Sequence, residues 1–123
     1  MSSSRQKEKN KLDRVFSRYI RLRDSDEHGN GRCITCGKSV FYKDADAGHF
    51  RSRSFISTRW HPSNVSLQCK GCNMSAGGEQ YKHGLAIDAK FGQGTADMLD
   101  DLSRISVRLS EKELKEMIML LLN

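Results

Sequence analysis

The sequence predicts an α+β fold in which a small strand-strand-helix core lies between helices at either end. Three observations predict it. Two Cys-x-x-Cys pairs, Cys33 with Cys36 and Cys69 with Cys72, bracket the middle of the chain; apolar runs of strand length lie between and beside them; and apolar residues recur at three-to-four spacing in both flanks. A chain of 123 residues is one domain by length. Within it we place a basic N-terminal helix over 1–24, the cysteine-stapled core over 31–78 and a helical part over 79–123.

From about Lys7 to Arg23, Leu12, Val15, Phe16, Tyr19, Ile20 and Leu22 form the apolar side of an amphipathic helix whose other side is Lys and Arg. Asp24 to Arg32 carries Gly29, Asn30 and Gly31 among polar residues and reads as a turn. Cys33-Ile34-Thr35-Cys36-Gly37 has the form of a zinc knuckle, its glycine letting backbone amides turn toward the sulfurs. Val40-Phe41-Tyr42 and Ala47 to Phe50 are strand candidates. Arg51 to Pro62 reads as a long polar hairpin loop anchored by Phe55, Ile56 and Trp60, and Pro62 disfavours helix just before it. Asn64 to Gln68 is a third strand, and a helix follows Cys69-Lys70-Gly71-Cys72-Asn73. Tyr81, Leu85, Ile87 and Phe91 mark a helix ended by Gly92 and Gly94, and Ala96 to Ile105 marks another. Ser110-Glu111-Lys112-Glu113 is a capping box for a final helix with Leu114, Met117, Ile118, Leu121 and Leu122 in one stripe. That stripe is core first and a homodimer interface second.

The formal charge of +6 is uneven. Met1 to Arg23 carries eight basic against two acidic residues, and Leu85 to Asn123 five against seven, so the basic half is the expected polyanion face. The chain has neither a long apolar run nor an apolar segment after Met1-Ser2-Ser3-Ser4-Arg5, from which we expect no membrane association and a cytoplasmic location. Cysteines there stay reduced, which favours metal binding over disulfides. Cys33, Cys36, Cys69 and Cys72 supply the four thiolates of a closed, structural Zn²⁺ site with no open position for chemistry. The segment the metal closes contains His49, Arg59, His61 and Asn64.

His49, Asn64 and Asn73 stand where this arrangement resembles HNH nucleases, in which a four-cysteine zinc site clamps a ββα-metal, treble-clef-like unit. In that family a histidine ends the first strand, an asparagine precedes the second cysteine pair by five residues, and a metal-binding side chain follows the last cysteine. The wider pattern of Ser17-Arg18-Tyr19-Ile20-Arg21, Gly48-His49-Phe50, Thr58-Arg59-Trp60, Gln68-Cys69, Cys72-Asn73, Gln80-Tyr81 and Gly84-Leu85 resembles the lambda NinG (Rap) recombination family of bacteriophages, over about Lys11 to Phe91. The resemblance implies a metal-dependent endonuclease that hydrolyses phosphodiester bonds of branched DNA, such as Holliday junctions and D-loops, with one catalytic Mg²⁺ or Mn²⁺. If phage-encoded, it is expected to work in the bacterial host cytoplasm, beside other recombination proteins.

On this reading His49 is the general base, since a neutral imidazole near pH 7 can take a proton from water. Asn73 offers a carbonyl oxygen to the hard cation. Asn64, the remaining member of the catalytic set, braces the loop so that His49 is aimed. Many HNH enzymes carry Asp or His immediately before the base, where this chain has Gly48. We therefore take Asp46 as the second metal ligand, because residues two apart share a strand face, with Asp44 as fallback. Each has a plainer role open to it: His49 bonding a carbonyl in the hairpin, the asparagines and Asp46 serving turns. Arg51, Arg53 and Arg59 flank the site and suit phosphates bidentately, and Arg14, Arg18 and Arg21 form a basic stripe for the DNA backbone. His61 is a loop residue or phosphate contact, and His28 and His83 are surface residues. A non-catalytic zinc module binding nucleic acid or a recombination partner is the rival reading.

Overall fold

The computed structural model describes residues 3–122; Met1, Ser2 and Asn123, which the terminal arms include on sequence grounds, lie outside the described residues. Helix α1 spans Ser4–Arg23, three residues longer at its start than periodicity suggests, because the Ser3 side chain accepts from the Gln6 amide and caps it. Its buried residues Leu12, Phe16 and Ile20 recur every fourth position. They form a core with Trp60 and Val65 from the middle of the chain and with Leu114 and Ile118 from the last helix, α6 (Glu111–Leu122). Burial of each of these large side chains contributes about 2 kcal/mol. The capping box expected for α6 is present: the Ser110 amide donates to Glu113 Oε1 at 3.1 Å, and the Glu113 amide to Ser110 Oγ at 3.1 Å.

Two antiparallel hairpins lie between these helices. Strand β1 (Asn30–Arg32) pairs with β2 (Ser39–Phe41) around the first cysteine pair, and β3 (Ala45–His49) pairs with β4 (Val65–Cys69). Strands β2, β3 and β4 sit within two residues of their expected positions, whereas β1 forms in the last residues of the segment read as a turn, where Asn30 to Arg32 pair with Ser39 to Phe41. The 51–62 segment is not wholly irregular, since Ile56–Arg59 forms a helical turn, α2. It stops where Trp60 enters the core, two residues before Pro62. Helix α3 (Lys70–Met74) begins directly at the end of β4, earlier than expected, so Cys72 and Asn73 lie inside the helix instead of ahead of it. Helix α4 (Ala76–Phe91) opens through Gly77, Gly78 and Glu79 at φ of 68°, 87° and 58°, a left-handed turn that two glycines make accessible. Helix α5 (Thr95–Ser103) follows a left-handed Gly94. No helix among the described residues is long and apolar enough to cross a membrane.

Candidate functional site

The strand-strand-helix succession β3, β4 and α3 is held at its base by sulfur. The Sγ atoms of Cys33, Cys36, Cys69 and Cys72 all lie within 4.8 Å of one another, with Cys36 and Cys69 at 3.9 Å. A tetrahedral zinc with Zn–S bonds of about 2.3 Å places its sulfurs ~3.8 Å apart, so the cluster can hold that ion. Gly37, at φ 76°, makes the knuckle, its amide donating to the Cys33 carbonyl at 2.9 Å. The bare thiols compete for ionisation. At Cys33 burial raises the pKa, but hydrogen bonds from Thr35 and from backbone amides outweigh it and bring it down to about 6. At Cys72 the Thr35 hydroxyl lowers it, but desolvation and the other three sulfurs push it up to about 12. A dication among the sulfurs removes that competition, because coordination deprotonates thiols outright.

Beside the clamp, a cleft of about 570 Å³ is lined by His49, Asp46, Asn73 and the cations Arg21, Lys43, Arg53 and Lys70, with Asp13 at its α1 wall. Thus five residues singled out in the sequence, His49, Asp46, Asn73, Arg21 and Arg53, meet in one place. His49 ends β3, and its Nε2 stands 2.9 Å from the Arg59 carbonyl oxygen. A carbonyl only accepts, so Nε2 carries the hydrogen, and Nδ1 is the basic nitrogen of the neutral ring. Burial holds the His49 pKa below 6.5 and the Arg53 charge adds to this, while the Arg59 and Ala47 carbonyls and the Asp13 carboxylate act the other way. The ring is therefore neutral at pH 7. Asp46 accepts from Lys70 Nζ at 2.7 Å on one oxygen and from Asn73 Nδ2 at 3.0 Å on the other. Asp44, by contrast, lies in the one-turn 3-10 helix before β3 and does not line the cleft.

The absence of a side chain at residue 48 has a steric cause. A Cβ there would fall 2.1 Å from Gln68 Oε1, because the Gln68 amide folds across the buried glycine and donates to the Gly78 carbonyl at 3.0 Å. Asn64 does not reach the cleft. Fully buried, its side chain accepts from the Arg51 amide at 2.8 Å and donates to the carbonyls of Arg51 at 3.1 Å and Thr58 at 3.0 Å. It thereby ties both ends of the 51–63 segment behind His49.

The arginines separate. Arg53 and Arg59 both bind Asp13, whereas Arg51 lies away from the cleft, 5.0 Å over the Phe55 ring and 3.5 Å from Asp100. Arg14, Arg18 and Arg21 do not act as one stripe. Arg21 lines the cleft and donates to the Tyr42 carbonyl at 2.9 Å, Arg18 borders an apolar groove with Val15, Tyr19, Leu22, Leu121 and Leu122, and Arg14 is exposed. The cause is that Arg21 reaches back over Ser17 toward the start of β3, while Arg18 leans toward α6. His61 accepts from the Ser63 amide and stays in the loop. Asp13, Lys43 and Lys70 were not anticipated. Lys70 stands between the two cysteines of the second pair and Asp13 interrupts a basic, apolar helix, which are weak signals in a single sequence.

His83 is not a surface residue. It is fully buried on α4 against the edge of Phe50, and it and Gln68 Oε1 are, among the described residues, the buried side-chain groups without a hydrogen-bond partner. Burial, with the charges of His49 and Lys90, lowers its pKa to about 4. An unfolded histidine titrates near 6.5, so between pH 6.5 and 4 the unfolded chain takes up the proton first. Stability is then intact above 6.5, falls as pH drops through that window, and loses about 3 kcal/mol in all. We expect the urea midpoint to fall from pH 7 to pH 4.5, with His83 and His49 both contributing, and His83→Leu to make that slope shallower; an unchanged slope would contradict the assignment.

Comparison with curated proteins and with solved structures finds no match. A family model described as Bacteriophage Lambda NinG protein matches residues 2–122, and the chain belongs to that family.

Proposed function

We propose that the chain is a zinc-stapled, metal-dependent endonuclease of HNH type that cuts branched DNA in phage recombination. What supports this reading most is the convergence of His49, Asp46 and Asn73 on one cationic cleft directly above the four-cysteine clamp. Asp46 and Asn73 offer a carboxylate and an amide oxygen, the hard donors that Mg²⁺ or Mn²⁺ takes, once Lys70 moves off the carboxylate and the Asn73 amide turns its oxygen inward. Such an ion supplies charge neutralisation at the scissile phosphate and the departing oxygen. His49 Nδ1 takes a proton from water as the water oxygen bonds to phosphorus and the phosphorus–oxygen bond to the departing strand breaks. Lys43 and Arg53 are exposed at the cleft and meet the phosphates, with Arg21 behind them. Asn64 acts through the loop it ties.

One observation favours a second reading, a zinc module that binds DNA or a recombination partner without cutting: both Asp46 oxygens are already engaged by protein groups. A homodimer through the apolar α1 and α6 groove is compatible with either. Zinc-loaded protein incubated with labelled Holliday junctions, D-loops, flaps and linear duplex separates the two. The nuclease nicks branched DNA only when Mg²⁺ or Mn²⁺ is added. Tight, salt-sensitive binding with no product under either cation would establish the binding module instead.

A further inference from the structure

We propose that Asp13, on α1, is a positioning residue for His49: its carboxylate holds the Arg59–Trp60 turn so that the Arg59 carbonyl fixes the imidazole with Nδ1 as its basic nitrogen. The inference rests on the nuclease reading only for its effect on cutting, since the ring's state is observable without DNA.

Asp13 collects donors of a segment 40 to 47 positions away. Its Oδ1 accepts from Arg59 Nε at 3.1 Å and from Trp60 Nε1 at 2.9 Å, and its Oδ2 from the terminal nitrogens of Arg59 at 2.5 Å and Arg53 at 2.6 Å. Every one of these donors belongs to the turn that presents the Arg59 carbonyl, or to the arginine at the cleft beside it. The Arg59 guanidinium also stacks 4.9 Å over Trp60, whose ring is in the core, so the residue is pinned through its side chain at both ends. The α2 turn is held from its backbone side by the Arg59 amide on the Phe55 carbonyl at 2.9 Å and from its side-chain side by Asp13, and in it the Arg59 oxygen meets His49 Nε2 at 2.9 Å. Asp13 itself makes no bond to His49. It acts through the turn, and it also acts through space.

The charged and titratable groups around His49 come from every neighbouring element: Asp13 from α1, Arg53 and Arg59 from the loop, His83 from α4. Asp13 is the one among them whose charge favours the imidazolium formed when the base takes its proton, and it pairs with the Arg53 guanidinium, which opposes it. Removing its charge therefore loosens the Arg59 carbonyl and leaves Arg53 uncompensated beside the ring. Both effects weaken the base. A core-filling role alone would alter neither the tautomer nor the titration of a histidine it does not touch.

The test is side-chain nitrogen NMR of the histidines in zinc-loaded protein, wild type beside Asp13→Asn, with cleavage measured on the same preparations. Wild type should give a single neutral Nε2–H tautomer at His49. Asp13→Asn, isosteric but neutral, should give mixed tautomers and a lower His49 pKa, with kcat reduced about 10²-fold and DNA affinity little changed, the scale expected when a catalytic group is misplaced by about 1 Å. If the variant loses zinc or folded structure, Arg59→Gln carries the same readout, because it keeps the backbone while cutting the link to the carboxylate. A single Nε2–H tautomer with unshifted pKa in a folded variant would overturn the proposal. Wild-type protein that never cuts, yet shows the tautomer change on substitution, would overturn the nuclease reading and leave the positioning role standing.

Discussion

Stripping zinc from the four cysteines, or replacing Cys69 with serine, is expected to abolish the cooperative unfolding transition of this chain. The clamp joins the β1–β2 knuckle to the end of β4 and the start of α3, segments far apart in sequence. Strand β4 supplies Val65 to the main core, and the segment between the cysteine pairs supplies Trp60. Loss of the metal therefore loosens the surface on which α1 and α6 close. Structural zinc sites contribute on the order of 10 kcal/mol to folding, against a net stability of about 5–15 kcal/mol for a domain, so the remaining core does not suffice. A chelator titration followed by circular dichroism should show the sigmoidal melt giving way to a gradual one as one zinc per chain is released. A melt unchanged in midpoint and cooperativity after zinc release would show that the hairpins stand without the clamp.

Asn64→Ala carries the second largest expected effect. The side chain is fully buried, and its three hydrogen bonds satisfy the half-buried Arg51 amide and carbonyl and the buried Thr58 carbonyl. Each buried group left unpaired costs about 1–3 kcal/mol, and with partial relaxation the sum is about 4 kcal/mol. Urea denaturation should register that loss. Asn64→Asp should be no better, because a carboxylate cannot donate to the two carbonyls. A loss below about 1 kcal/mol for Asn64→Ala would mean that water or backbone rearrangement replaces the amide, and the 51–63 segment would then not depend on it.

The parts of this molecule legible in its sequence are those governed by short-range rules. Spacing of Leu12, Phe16 and Ile20 gives the buried face of α1, the Ser110 and Glu113 pair gives the start of α6, and two Cys-x-x-Cys units give the sulfur cluster. The resemblance to HNH nucleases points to His49 and Asn73 and strand alternation points to Asp46, and the fold brings all three to one cleft. What was illegible depends on contacts between distant segments. Asp13 meets Arg53, Arg59 and Trp60 only because α1 packs over the hairpin loop, and no local pattern encodes that. His83 looked like a surface histidine among Tyr81, Lys82 and Leu85. In the fold Tyr81 and Leu85 are exposed and His83 is the residue turned inward, against Phe50. Glycine at 48 gains its reason from Gln68 on the partner strand. Arg18 and Arg21 part on α1 for a related cause, since flexible side chains on one helix follow whichever neighbour accepts them.

The central claim is that His49 is the base of a DNA-cutting site. The most direct test compares single-turnover nicking of a labelled Holliday junction by wild type and His49→Ala, both at one zinc per chain, in Mg²⁺ or Mn²⁺. A positioned general base contributes about 10²–10⁴-fold, so His49→Ala should lose rate in that range, with junction affinity and melting behaviour nearly unchanged. Equal cutting by the two proteins would contradict it by removing His49 from the chemistry.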